Sequence, residues 1–256
     1  MPAVTGWLTE IRLCLGLLTR FPVGMVAPPA AVEMARACRW FPLIGALVGV
    51  LSAAILYLCA VAGLPGMAAG LIAVGTSVLI TGALHEDGLA DVADGFWGGA
   101  ERERRLSIMR DSRVGAYGVI ALILAVGLRW SLVTGLMAHG IGSAVVGIVV
   151  AAAVSRLTPV LLMHGLPTAR DDGMAVNAGK PDAHAVRVAC GLALASLLLL
   201  PGWPQMLATA IAVPVAAWAL GGLALRRIGG QTGDVLGAGQ QVTEILVLLG
   251  LAAVVP

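Results

Sequence analysis

The sequence predicts an all-α fold: a polytopic membrane helix bundle of about seven transmembrane helices plus an amino-terminal interfacial helix. Three observations predict it. Of 256 residues, 59% are hydrophobic and only 12% charged, whereas soluble domains carry roughly 25% charged residues. Mean hydropathy is +0.95, so polar side chains are too few to clothe a water-facing exterior. The apolar residues also gather in runs near the roughly 20 that a helix needs to cross a hydrocarbon core about 30 Å thick. A net charge of only +2 leaves no basic excess for a phosphate backbone, which excludes nucleic acid as a partner. Cys14, Cys38, Cys59 and Cys190 stand singly, against a zinc site or a disulfide framework.

In chain order, residues 5–20 read as the interfacial helix, lacking the basic start and cleavage site of a secretory signal. Trp40 to Leu64 and Pro65 to Leu84 form a tight hairpin of spans. Ala116 to Ala138 and Ile141 to Met163 follow, then Val188 to Pro201, which is short, Trp203 to Leu225 and, weakest, Val242 to Val255. Lys and Arg fall only before the first span, after the second, after the fourth and after the sixth, apart from Arg129 and Arg156 inside spans. The positive-inside bias then puts the loops of residues 85–115, 165–185 and 226–241 in the cytoplasm. No repeat divides the chain, so residues 1–256 are expected to form one integral membrane domain.

Half of the 14 acidic residues lie between Glu86 and Asp111. Asp87, Asp91 and Asp94 are spaced i, i+4, i+7 and, at about 100° per residue, share an arc of about 60° on a helix. Like charges at that spacing repel unless a cation sits among them, and Mg²⁺ takes carboxylate oxygens readily. Apolar Leu89, Ala90, Val92 and Ala93 interleave the three, so the segment is expected to continue the preceding helix at membrane depth, where ionisable groups are functional candidates. His85 reads either as a phosphate ligand or as a structural hydrogen-bonder. Asp111 lies 24 residues past Asp87, about 36 Å along one helix, so a break at Gly95, Gly98 and Gly99 must return Arg110, Asp111 and Arg113 to the aspartate face. Arg110 and Arg113 suit phosphate oxygens and read equally well as markers of sidedness. A glycine-dense segment, Gly229 to Gly239, includes Gln231, Thr232 and Asp234; its backbone can approach an anion closely, although a flexible turn would look the same. Arg129 and Arg156 must face the bundle interior or a polar partner, Arg156 being the better substrate contact. Asp111 is the first choice for a general base, with Asp234 as its rival.

Carboxylates, arginines and glycine-rich loops on a membrane bundle suit metal-assisted phosphoryl transfer. At these residues the sequence strongly resembles the cobalamin synthase (adenosylcobinamide-GDP ribazoletransferase) family. The segments that carry the resemblance are Leu18 to Pro22, Phe41 to Gly45, His85 to Gly95 (HEDGLADVADG), Ile108 to Gly118 (IMRDSRVGAYG), Ser155-Arg156 and Gly229 to Ala238 (GGQTGDVLGA). The resemblance implies that a ribose hydroxyl of α-ribazole, or of α-ribazole 5′-phosphate, attacks the cobinamide-side phosphate of adenosylcobinamide-GDP and expels GMP. It implies Mg²⁺ as cofactor, held by Asp87, Asp91 and Asp94. It further implies substrate contacts from His85, Arg110, Ser112, Arg113, Arg156, Gln231 and Thr232, and a bacterial inner-membrane location among lipid with the site facing the cytoplasm. Assembly as a homo-oligomer is compatible with it. Glu86 stands where the family motif more often has an apolar residue and takes no role. Asp91 to Gly95 also looks like the opening of the CDP-alcohol phosphotransferase motif, but the Ala-Arg that should follow is absent. A cation-coupled transporter is the non-enzymatic alternative, disfavoured because the charges lie toward one face.

Overall fold

The computed structural model describes residues 6–24 and 31–254. Thr5 of the expected interfacial helix, Val255 of the expected last span and the ends of the single domain lie outside the described residues. Among those residues the fold is helical, and the one β-bridge pairs Thr168 with Gln231 in parallel. The helices are α1 (Trp7–Leu18), α2 (Ala31–Ala37), α3 (Phe41–Val61), α4 (Gly66–Thr81), α5 (Leu84–Gly98), α6 (Arg102–Ile108), α7 (Ala116–Ala138), α8 (Ile141–Ser155), α9 (Leu157–Gly165), α10 (Met174–Ala178), α11 (Ala183–Ser196), α12 (Trp203–Ile228) and α13 (Gly233–Val254).

Five stretches are long and apolar enough to cross a membrane: 31–61, 116–138, 141–165, 203–228 and 233–254. The protein is thus a multi-pass membrane protein by length and composition. A sixth span exists if α4 and α5, bent by 89° at their junction, count as one. The sequence predicts about seven. The expected span of residues 188–201 is the 14-residue α11 with a short 3-10 extension, about 21 Å of α-helix at 1.5 Å per residue and shorter than the other five. The weakest expected span is by contrast a full helix, because α13 begins at Gly233 and absorbs much of the glycine-dense segment read as a loop.

The aspartate segment is helical, as its spacing predicts, but it does not continue the second span. Gly82 (φ 64°) closes α4 in the left-handed conformation and Ala83 (φ 58°) follows it, turning the chain out of the α4 axis. Of the three glycines expected to break the helix, Gly95 stays helical, and α5 ends at Gly98 with Gly99 extended beyond it. The segment after α1 fastens this corner, the Arg20 amide donating to the Ile80 carbonyl at 2.8 Å.

Close approach at glycines joins the helices beside a shared apolar core that includes Phe41, Ile44, Leu56, Leu136 and Leu248, as expected where lipid is as apolar as leucine. A Cβ on Gly49 of α3 would lie 2.8 Å from Val149 Cα of α8, and one on Gly88 of α5 would lie 2.8 Å from the Asp234 carbonyl oxygen of α13. Inside the bundle, a buried polar network ties α4, α5, α7, α8 and α13 together. Arg129 donates to Glu86 (2.7 Å), Gln241 (2.9 Å) and Ser77 (2.7 Å), and lies 3.3 Å from Glu244. Arg156 donates to the Ala152 carbonyl at 2.7 Å and approaches Glu244 at 4.0 Å. Gln240 bonds Ser155 and Glu244. Both arginines therefore find the interior polar partners that their position demanded, and Glu86 is the carboxylate that answers Arg129.

Candidate functional site

Three polar segments far apart in sequence meet at one end of the bundle. The bridge at Thr168 is made by the Ala169 amide donating to the Gln231 carbonyl and the Gln231 amide to the Pro167 carbonyl, both at 2.8 Å. Arg102 caps this junction, donating to the carbonyls of Ile228 (2.9 Å) and Ala169 (2.7 Å), and Arg105 donates to the Arg227 carbonyl at 3.0 Å. These guanidinium groups sit on the carbonyls that end α12, where the helix dipole favours positive charge.

Between the segments lies a cleft of about 110 Å³ lined by Asp87, Gly88, Thr168, Arg170, Asp172, Gln231, Thr232 and Asp234, among others. Two helices start here: Asp87 stands in the first turn of α5 and Asp234 in the first turn of α13, where unpaired amides favour an anion. Gly88 lets the two helices meet, and Thr232 caps α13 by accepting from the Val235 amide at 3.3 Å. Thr232 also donates to Asp234 Oδ2 at 3.1 Å, and Arg170 approaches the same oxygen at 3.6 Å. Asp234 is thus held in a fixed direction.

The carboxylates of α5 differ in their surroundings. Asp87 is exposed in the cleft and Asp91, one turn on, is half-buried; neither carboxylate has a hydrogen bond or ion pair among the described residues. Asp94 is buried and fully engaged, accepting from the Gly115 amide at 2.6 Å and the Gly118 amide at 2.9 Å, so it anchors the start of α7. Glycine is required at both partners, since a Cβ on either would collide with that carboxylate. Among the described residues no group of three or more His, Cys, Asp or Glu side chains is gathered to hold a metal.

Asp111 does not return to the aspartate face. It sits outside the cleft lining, accepting from the Arg113 guanidinium at 2.7 Å and the Arg113 amide at 3.1 Å; the guanidinium hydrogen bond foremost holds its carboxyl down at about 2. Arg110 pairs with Asp172 at 2.5 Å on the surface, and Ser112 is exposed. His85 and Arg156 are buried and line a second, mostly apolar cavity of about 50 Å³ that shares Leu84, Met174, Ala175 and Gly233 with the cleft. Sequence reasoning missed Arg170 and Asp172, which lie in a segment without a motif, and Glu244, Gln240 and Gln241. Glu244 carried a readable signal, an ionisable residue inside an apolar run.

A family model described as Cobalamin-5-phosphate synthase matches residues 10–252. The chain is similar to the adenosylcobinamide-GDP ribazoletransferase of Azorhizobium caulinodans, at 46% identity over 95% of both chains. It is 42% identical to the protein of that name from Bradyrhizobium diazoefficiens, over 96% of this chain and 94% of the relative. Identity is also 42% to that of Allorhizobium ampelinum, over 97% and 98%. No solved structure matches.

Proposed function

The chain belongs to the cobalamin-5-phosphate synthase family, and we propose that it is an adenosylcobinamide-GDP ribazoletransferase of the bacterial inner membrane, with its site on the cytoplasmic side. A ribose hydroxyl of α-ribazole, or of its 5′-phosphate, attacks the cobinamide-side phosphate of adenosylcobinamide-GDP. The new phosphodiester forms as the bond to GMP breaks, and the hydroxyl proton goes to a carboxylate of the cleft. One observation carries the reading: Asp87, Arg170, Gln231, Thr232 and Asp234, from three distant segments, line a single cleft.

Asp234 is the better base. It lines the cleft and is oriented by Thr232 and Arg170, whereas Asp111 lies outside the lining and is occupied by Arg113. The donor set fits a divalent ion of the Mg²⁺ kind, which is usually bound by one or two carboxylates together with substrate phosphates. Asp87 and Asp91, unpaired and one turn apart, would hold it, while Asp94 already serves α7. Bound there, the ion would neutralise charge on the transferring phosphate. Gln231 and Thr232 position the sugar and phosphate groups, and buried His85 and Arg156 close the floor behind them.

The test is transfer by the full chain in lipid vesicles supplied with adenosylcobinamide-GDP, Mg²⁺ and either acceptor. Release of GMP with formation of the joined corrinoid is expected, and chelation of the metal should stop it. No GMP with either acceptor would overturn the reading.

A further inference from the structure

Two buried polar atoms of opposite kind belong to side chains lining the same cleft and have no partner. Gln231 is 2% exposed, and its Oε1, an acceptor, receives no hydrogen bond; Arg170, with a side chain 14% exposed, has an Nε donor that gives none. Buried groups of this sort are almost always paired. The backbone of Gln231 and the guanidinium of Arg170 are both fixed beside the cleft. Gln231 is held through its backbone on both sides by the bridge to residues 167–169, and Arg170 is tied to the Leu106 carbonyl at 3.1 Å and to Asp234 at 3.6 Å.

A ligand in the cleft that completes both would offer an acceptor oxygen to the guanidinium and a hydroxyl to the amide oxygen. A ribose phosphate does so, and a guanidinium matches phosphate oxygens with paired donors. We propose that Arg170 and Gln231 form the ribose-phosphate subsite of the cleft, Arg170 donating to the phosphate and Gln231 accepting from a sugar hydroxyl. The proposal rests on the transferase reading above. It moves the phosphate-binding role away from Arg110 and Arg113, whose side chains are 55% and 87% exposed and already paired with Asp172 and Asp111. Both substrates can supply this chemistry: the guanosine end of the donor, and the acceptor where it enters as the nucleotide.

Equilibrium binding of GMP and of α-ribazole 5′-phosphate to the full chain in detergent tests it, with inorganic phosphate as a competing probe. The wild type should bind at least one of the two nucleotides, and which one it binds identifies the source. Arg170→Gln should weaken that binding about 10- to 100-fold, as expected for a hydrogen-bonded charge. Gln231→Leu should weaken nucleotide binding while competition by inorganic phosphate persists, and Arg110→Gln should bind as the wild type does. Should Arg170→Gln fail to fold, Arg170→Lys and Gln231→Leu decide. Wild-type affinity in both of those, an equal loss in Arg110→Gln, or binding of neither nucleotide by the wild type would overturn the subsite, the last leaving water as the sole occupant. Absence of GMP release in the transfer assay, with nucleotide binding intact and sensitive to these variants, would instead overturn the transferase reading and leave the subsite standing.

Discussion

At the scale of single residues, identical side chains do different work, and their partners tell them apart. Asp87, Asp91 and Asp94 look equivalent in sequence, yet Asp94 is spent on the Gly115 and Gly118 amides at the start of α7 and Asp87 opens into the cleft. Asp234→Asn should therefore lower turnover by roughly 10²- to 10⁴-fold, the usual weight of a general base, with Mg²⁺ dependence unchanged. Asp87→Asn should instead raise the Mg²⁺ concentration needed for half-maximal rate; an unaltered requirement would remove Asp87 from the metal. Asp111 provides the contrast. Its folded-state pKa is depressed to about 2 by Arg113, so its favourable pairing is complete above the ordinary carboxylate value of about 3.9 and is lost only as pH falls through about 2. Asp111→Asn should then leave the pH–rate profile between about pH 5 and 9 unchanged, and loss of one limb in that profile would restore Asp111 as the base. The sequence made the carboxylates legible through their spacing. It hid Arg170, because nothing in residues 165–185 marks which cation turns inward, and that depends on the Thr168–Gln231 bridge.

At the scale of helices, apolar runs predicted most spans because hydropathy reports length well, and they missed the corner at Gly82–Ala83 because a two-residue left-handed turn leaves no trace in hydropathy. That corner matters for the site: it starts a new helix just before the aspartates and so puts Asp87 in a first turn, beside the start of α13. Glycine density misled in the other direction. Gly233, Gly237 and Gly239 read as a loop, but they are contact points on a helix, Gly237 and Gly239 on opposite sides of it: a Cβ on Gly237 would lie 3.3 Å from His85 Cα of α5 and one on Gly239 3.0 Å from Leu162 Cδ1 of α9. The crossing at Gly88 admits a direct test. Gly88→Ala places a methyl 2.8 Å from the Asp234 carbonyl oxygen, a backbone atom that must shift, and should cost about 1–3 kcal/mol and lower Tm together with activity. Gly75→Ala, with nothing within 4 Å of the added atom, should hold or raise Tm through better helix propensity, worth up to about 1 kcal/mol. Equal effects of the two variants on Tm would show that the α5–α13 crossing is not tight.

At the scale of the whole molecule, the charges divide into a buried set that holds the bundle and an exposed set at one end. Arg129 compensates Glu86 and Glu244, so Arg129→Met should cost about 3–5 kcal/mol, the penalty for leaving buried charge unpaired. Glu86→Gln keeps an acceptor for the guanidinium and should cost less; the reverse order in thermal unfolding would contradict this account. The exposed set bears on the proposed orientation. The α7–α8 turn, the α11–α12 connection and Leu251 near the end of α13 line one common cavity, and the Trp130 indole donates to the Met67 carbonyl at the start of α4. That end presents no Lys or Arg among the described residues, while Arg102, Arg105, Arg110, Arg170 and Arg226 cluster with the cleft at the other, and under the positive-inside bias this supports the proposed cytoplasmic orientation of the cleft. Single cysteines in a cysteine-free background give the check. Ala100→Cys, Asn177→Cys and Arg226→Cys, all at exposed positions, should resist an impermeant thiol reagent added to intact cells and react once the membrane is opened, whereas Gly140→Cys should react from outside. Labelling of any of the first three in intact cells would invert the orientation and place the cleft on the wrong side for a cytoplasmic nucleotide substrate.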